Sequence, residues 1–406
     1  MAAQTTAPRE ATLVDPAILL NEDPHAVFAR FRRETPVIRT SEHRFMVLRA
    51  RDVAAILRDT RTVQIEGTDY ARYNGVPEGR ATRFLADFFL FSNGQDHRTG
   101  RSLFAASFSH GAIRGLRSGI RATAETITAE MPRGESFDFL AHAASRAPAE
   151  MIAAILGLPR EEAPHFARLV YIVANLLVPV YPAERHAEIE AAAGELHDYV
   201  RLHLSRRIAA PQEDMLSRVV AAWRKTQAMS LDRLAHQVMG LIIGGSDTTR
   251  GAIAMTTALL LEHPDQWAAL RADPSLIAGA VNEGLRFEPP IGSTVRLAAM
   301  PLMVDGVEIP AGQMIVLSTL SALRDPEAYP DPNRFDIRRE GHPRDHLVFG
   351  GGVHRCIGEM LARAEIEEMI GAIARNAPGI ELTRAPRLEG FGGIRRITPM
   401  ETRIPA

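Results

Sequence analysis

Cys356 is the one cysteine in a chain of 406 residues, and it stands in the run Phe349-Gly350-Gly351-Gly352-Val353-His354-Arg355-Cys356-Ile357-Gly358. A lone thiol closes no intramolecular disulfide and builds no cluster that needs several sulfurs. Taken alone, it reads as a small buried hydrophobe. Its neighbours point elsewhere. Three successive glycines open backbone conformations closed to other residues and let the chain approach a flat ligand closely. Beyond the cysteine, Ile357, Leu361, Ala364, Met369, Ile370 and Ile373 recur at helical spacing, which sets Cys356 at or just before a helix N-terminus. Orphan N–H groups and the helix dipole there are expected to lower the thiol pKa and favour thiolate. One thiolate in a glycine-rich loop suits a single axial bond to a haem iron.

The elements that must position this loop can be read in outline. Helical periodicity begins near Pro24, short β-rich runs follow at 36–40 and 44–48, and a further helix covers about 51–58. Tyr70 to Phe91 reads as a long irregular segment holding Phe84, Phe88, Phe89 and Phe91, and such segments are usually functional or mobile. Asp96 to Phe108 reads as helix, with His97 and Arg101 four apart on one face; alone, such a pair is most often a solvated surface. Ser230 can cap a helix running to Glu262, where His263-Pro264 ends it. That is about 48 Å of helix at 1.5 Å per residue, enough to cross the whole molecule. In its middle stands Gly244-Gly245-Ser246-Asp247-Thr248-Thr249. Glycine inside a helix costs about 1 kcal/mol relative to alanine, so something there needs room, close helix packing being the plainer account. Glu283 and Arg286 can pair at i,i+3, and 291–320 reads as β structure with a hairpin at Asp305-Gly306.

Composition sets the outer bounds. The formal net charge is −2, which favours neither nucleic acid nor an anionic membrane as partner. Lys225 is the only lysine, so the basic residues are almost all arginine. No run approaches the roughly 18 apolar residues of a membrane span, and the polar start of the chain lacks a signal-peptide core. The expectation is a cytoplasmic, monomeric protein in which residues 1 to 12 form a disordered tail and 13–406 one domain.

The cysteine run resembles the haem-binding loop of the cytochrome P450 superfamily, with Phe349, Gly350, Gly352, His354, Cys356 and Gly358 on the six fixed positions. Three further stretches in the same order are similar to that family: Asp96-His97 with Arg101, the Gly244 to Thr248 run, and Glu283-x-x-Arg286. The resemblance implies a mainly α fold with a small β-rich part and b-type haem between the long central helix and the cysteine loop. It implies that Cys356 is the proximal iron ligand, that Phe349 and Gly350 shape the loop around the sulfur, and that His97, Arg101, Arg296 and His354 hold the haem propionates. Gly244, Asp247 and Thr248 match the family's acid–alcohol motif, where the helix opens locally; Thr248 would hydrogen-bond dioxygen and the Gly244 carbonyl, and Asp247 would relay protons from solvent. Arg334 would complete a structural trio with Glu283 and Arg286.

The implied activity is monooxygenation: O2 and a largely apolar small substrate, with electrons from a ferredoxin or flavodoxin and its NAD(P)H-dependent reductase. Arg114, Arg117, Arg338, Arg344 and Arg355 are candidates for a basic face toward that partner. By position, Phe84, Phe88, Phe89, Ile242, Ile291, Val295 and Ile394 are candidate pocket residues, and Tyr70, Arg72, Tyr73 and Arg80 could reach a polar end. A peroxide-driven peroxygenase and a non-enzymatic haem sensor or carrier are the alternatives; the intact Asp247–Thr248 pair counts against both.

Overall fold

Ser230 starts the longest helix of the protein: its hydroxyl accepts the Arg233 N–H at 3.2 Å, and Leu231–Glu262 then runs unbroken for 32 residues. His263 and Pro264 end it, as the sequence predicts, with His263 Nδ1 2.7 Å from the Leu259 carbonyl. From Gly251 to Leu260 every residue is buried. A helix apolar on all sides must pass through the interior, and the other helices pack round this one. The computed structural model describes residues 9–178, 181–343 and 346–406.

The β-rich part is a six-stranded sheet. Its order is Thr12–Leu13, Val37–Ser41, Arg44–Val47, Met314–Ser318, Ser293–Ala298 and Thr62–Val63. Val295 stands opposite Val316 in an antiparallel pair, and Met46 pairs with Val316 from the other side in parallel register. Asp305 and Gly306, at φ 50° and 77°, form the tight turn between Leu302–Val304 and Val307–Ile309, the hairpin the Asp-Gly pair predicts.

Three expectations need correction. Of the expected tail, residues 1–8 lie outside the described residues, whereas Arg9 to Thr12 are seated. The Arg9 N–H donates to the Gly306 carbonyl at 2.7 Å and Thr12 pairs with Ile38. The stretch 70–91 is not irregular: it holds the helices Gly67–Tyr73 and Arg80–Asp87, too short to show a clear period. The third member of the Glu283–Arg286 trio is Arg339, not Arg334. Arg286 grips Glu283 with two bonds of 2.7 Å, and Arg339 Nε adds contacts of 3.1 and 3.2 Å. The Arg334 carbonyl takes a bond from Arg286 at 3.2 Å, which turns its side chain outward to Asp336.

A second buried carboxylate joins the N-terminal part to the last strands. Glu288 lies 2.7 Å from His25 Nε2 and accepts from Arg395 Nη1 at 2.8 Å. Burial alone would raise its pKa, but His25 and Arg395 outweigh it and bring the group from 4.5 down to about 2. A folded-state pKa below the unfolded one gives stability that is present above the unfolded value and lost as pH falls toward the folded value. A depression of this size corresponds to about 3 kcal/mol. Glu288→Gln should therefore lower stability at neutral pH by about that amount, and the gap to wild type should close as pH falls from 4.5 to about 2. Urea unfolding midpoints across that range check this; a constant gap would contradict it.

Candidate functional site

The cysteine loop is held by its own backbone. The Cys356 N–H donates to the Phe349 carbonyl at 2.8 Å, and Gly350 and Gly352 take φ values of 69° and 63°, where a side chain would be strained. The loop feeds the helix Glu359–Asn376 through Gly358, two residues beyond the cysteine, as the periodicity predicts. The sulfur faces a cavity of about 370 Å³ at the centre of the molecule. The thiol lies deep in the protein, and its exposure is to this cavity. The expected lowering of its pKa does not appear in the protein alone. Burial pushes the thiol up, and the opposing bond from the Gly358 N–H is the one helix-start donor that reaches it. Bonding to a metal cation would reverse this, because a coordinating thiol is deprotonated outright.

Across the cavity stands the middle of the central helix. Gly244 and Thr248 line it, and a Cβ added to Gly244 would meet no atom within 4 Å. The glycine thus leaves room on the cavity side and is not explained by close helix packing. The Thr248 hydroxyl donates to the Gly244 carbonyl at 2.8 Å, the bond the sequence suggests, but the helix stays continuous instead of opening. Asp247 does not line the cavity. It forms an ion pair with Arg250, whose guanidinium sits 4.2 Å over the Tyr171 ring, and Tyr171 in turn bonds the Ser145 carbonyl at 2.8 Å. Burial raises the Asp247 pKa and Arg250 opposes that shift.

At one edge of the cavity four basic side chains gather with no carboxylate bonded to any of them among the described residues. Arg101 and His354 line the cavity; the His97 ring lies tilted against the His354 ring with centres 4.1 Å apart; Arg296 reaches the lining residue Gln64 at 2.7 Å. Arg101 otherwise donates to the Arg355 carbonyl at 2.7 Å, and Arg296 to the Val295 carbonyl at 2.9 Å. His97 Nε2 and His354 Nδ1 are buried without partners. Burial, and then Arg101, Arg98 and Arg296, hold His97 low; burial, and then His97, Arg296 and Arg101, bring His354 down to about 3; burial lowers Arg296 to about 10. Buried positive groups without an anion destabilise a fold, so this edge fits an anionic ligand. A flat dianion such as haem meets the set: two carboxylates for four donors, a thiol for the metal, and a glycine gap opposite.

Gln64 and Asn93 were not singled out from the sequence. Asn93 clamps the Gln64 backbone with bonds of 2.9 and 2.8 Å, and Gln64 turns Arg296 inward. Neither carries a local signal, since both act through distant contacts. Of the apolar candidates, Phe88, Phe89, Ile242, Ile291, Val295 and Ile394 line the cavity; Phe84 does not, being fully buried behind Phe88. Tyr70 lines it too, with its hydroxyl bonded to the Leu176 carbonyl at 3.2 Å. Arg72, Tyr73 and Arg80 point elsewhere, to Asp69, Arg44 and Asp198.

The family model described as Cytochrome P450 matches residues 18–376. This chain belongs to the cytochrome P450 family. Among P450 relatives, the plant-inducible cytochrome P450-pinF1 of Rhizobium radiobacter is 41% identical over 96% of this chain and 92% of its own length. Nocardicin C N-oxygenase of Nocardia uniformis is 32% identical over 92% of each. The crystal structure of CalO2 superposes with a TM-score of 0.87 at 28% identity, covering 97% of this chain and 99% of that one. The P450 fold is therefore established, the chain is an oxidoreductase of the monooxygenase class, and the family implies a haem cofactor. Among the described residues no helix is long and apolar enough to cross a membrane.

If the four basic groups serve the haem carboxylates, each charge-assisted bond is worth about 1.5–3 kcal/mol. Arg296→Leu and His97→Ala should each speed haem transfer to an apoprotein acceptor by about tenfold or more. Arg296→Leu should at the same time stabilise the haem-free protein, because it removes an unpaired buried charge. Unchanged transfer rates would contradict the assignment.

Proposed function

We propose that this P450 inserts one atom of O2 into a largely apolar organic molecule, using b-type haem ligated by Cys356 and electrons from a separate ferredoxin or flavodoxin with its NAD(P)H-dependent reductase. The observation that carries the reading is that the cysteine loop and the Gly244–Thr248 turn face each other across one cavity. The haem, when bound, supplies the oxidising chemistry.

The chain's own residues do the rest. Cys356 supplies the thiolate. His97, Arg101, Arg296 and His354 orient the plate by its carboxylates. Thr248 presents a hydroxyl at the point where Gly244 leaves room; its one proton goes to the Gly244 carbonyl, and its oxygen can accept a hydrogen bond from the cavity. Asp247, one residue earlier, holds a proton or a charge against Arg250 on the outer side of the same helix. Phe88, Phe89, Leu90, Leu241, Ile291 and Ile394 exclude water and receive an apolar substrate, with Tyr70 and Thr294 as the few polar anchors.

The expected basic face toward that partner is partly neutralised by carboxylates. Arg117 is paired with Glu367 and Glu368, Arg355 is paired with Glu359, and Arg344 lies outside the described residues. A mixed surface of that kind makes partner reduction only weakly salt-dependent.

The test is turnover with O2, NAD(P)H and a ferredoxin system on a ligand first found by its shift of the Soret band. Thr248→Ala should fold and bind haem, because alanine raises helix propensity and the propionate contacts lie elsewhere. It should consume NAD(P)H but give several-fold less product and more hydrogen peroxide. Asp247→Asn should slow turnover without that loss of product per NAD(P)H. Wild-type coupling in Thr248→Ala would contradict the proposed role.

A further inference from the structure

One wall of the cavity comes from the short segment between the helices Arg80–Asp87 and Gly94–Ala105, where Phe88, Phe89 and Phe91 face inward. Phe88 meets Phe89 edge-on at 5.0 Å, and Tyr70 leans on Phe91 at 4.7 Å. The segment has a single 3-10 turn, Phe89–Phe91, to order it, with extended backbone at Phe88. Its position is set from outside. Gln237 of the central helix is 1% exposed and does not line the cavity. Its Oε1 accepts the Phe89 N–H at 2.9 Å, and its Nε2 donates to the Asp87 carbonyl. One buried amide thus satisfies two backbone groups on either side of Phe88. Next to it, His236 Nδ1 lies 2.7 Å from the Asp87 carboxylate.

Two glycines complete the seat. Gly240 stands three residues after Gln237, on the same side of the helix, and a Cβ added there would overlap the Phe88 ring. A Cβ added to Gly100 would come within 2.6 Å of the Phe89 Cβ. Each ring therefore lies directly on bare helix backbone, unlike the open space beside Gly244. Charge is distributed unevenly around the cavity. Among the described residues the charged groups that line it are Arg101, His354, Arg355 and Glu365, all beside the cysteine loop or on the helix that follows it. The aromatic segment and the central helix contribute none.

We infer that Gln237 and Gly240 are specificity-determining residues, which hold Phe88 and Phe89 as a fixed wall and so select an uncharged substrate bearing an aromatic ring. This rests on the monooxygenase reading above. A ring placed on that wall gains edge or offset contacts beyond the area it buries, about two- to tenfold in affinity for each pair. A saturated ring of the same size gains the burial alone. A carboxylate there loses its water with no cation on that wall to answer it. Gln237 acts through the aromatic side chains, as a positioning residue. By holding them in place before binding, it spares the complex the cost of ordering them.

Soret-shift titrations of the haem-loaded protein at pH 8 with methyl benzoate, methyl cyclohexanecarboxylate and benzoate test this. In wild type methyl benzoate should bind several-fold more tightly than its saturated counterpart, and benzoate more weakly than either. Gly240→Ala improves helix propensity and should fold, which its reduced carbonyl band checks. It should displace the Phe88 ring and bring the affinity ratio of the two esters close to one, as should Gln237→Leu. In a Phe88→Ala background the further change Gly240→Ala should have no effect on either ester, because the ring it displaces is gone. A merely structural role for Gly240 would leave its effect the same in both backgrounds. The inference is overturned by equal affinities of the two esters in wild type, by no shift with methyl benzoate, or by benzoate binding as tightly as its ester. It is also overturned by a wild-type ratio in both Gly240→Ala and Gln237→Leu, or by an undiminished Gly240→Ala effect without Phe88. None of these titrations involves turnover, so the monooxygenase reading fails separately, if a ligand that binds gives no product with O2 and donor electrons.

Discussion

Four basic side chains meet at one edge of an internal cavity, and among the described residues no carboxylate bonds any of them. That electrostatic debt shapes the rest of the molecule. The His97 and His354 rings lie tilted against each other with centres 4.1 Å apart, an arrangement that is tolerable only while both rings are neutral or an anion stands between them and the solvent. Arg296 is turned inward by Gln64, itself clamped by Asn93, so three separate parts of the chain fix one guanidinium. A dianionic plate would resolve the imbalance, with the cavity walls above and below it already distinct. The Cys356 thiol lines one wall, and Gly244, beside which an added Cβ would meet nothing, lines the other.

The central helix divides the work by geometry. Successive residues on a helix point about 100° apart; Thr248 and Thr249 both fall on the cavity side, and Asp247 lies just outside that arc. Thr248 has its hydroxyl tied to the Gly244 carbonyl; Asp247 looks outward to Arg250 and Tyr171. The helix carries this division without a break. On the far side of the cavity, Glu365 faces inward from the helix that begins just after Cys356.

What was legible in the sequence is what local rules control. Ser230, His263 and Pro264 mark both ends of the central helix because capping and proline act within a few residues. Asp305-Gly306 marks the hairpin for the same reason, and six fixed positions mark the cysteine loop. The misses are products of tertiary convergence. Arg339 displaces Arg334 in the buried trio because the intervening backbone is pulled in by Arg286. The helices at 67–73 and 80–87 are too short for periodicity to separate them from their glycine-rich connections. The thiol pKa moves up, not down, since burial outweighs a single N–H. Glu365 was not singled out, because an acid between Glu359 and Glu367 carries no local sign of burial. The sign is periodic instead, since Leu361, Glu365 and Met369 stand at spacings of four on the apolar stripe.

The central claim is that this cavity holds haem through Cys356. The measurement that bears on it most directly is the absorption spectrum of the purified protein reduced under carbon monoxide, compared with Cys356→Ser. The account predicts one haem per chain and the red-shifted Soret band of thiolate ligation in wild type, with that band lost in the variant. A wild-type protein without the band, or a Cys356→Ser protein that keeps it, would contradict the account.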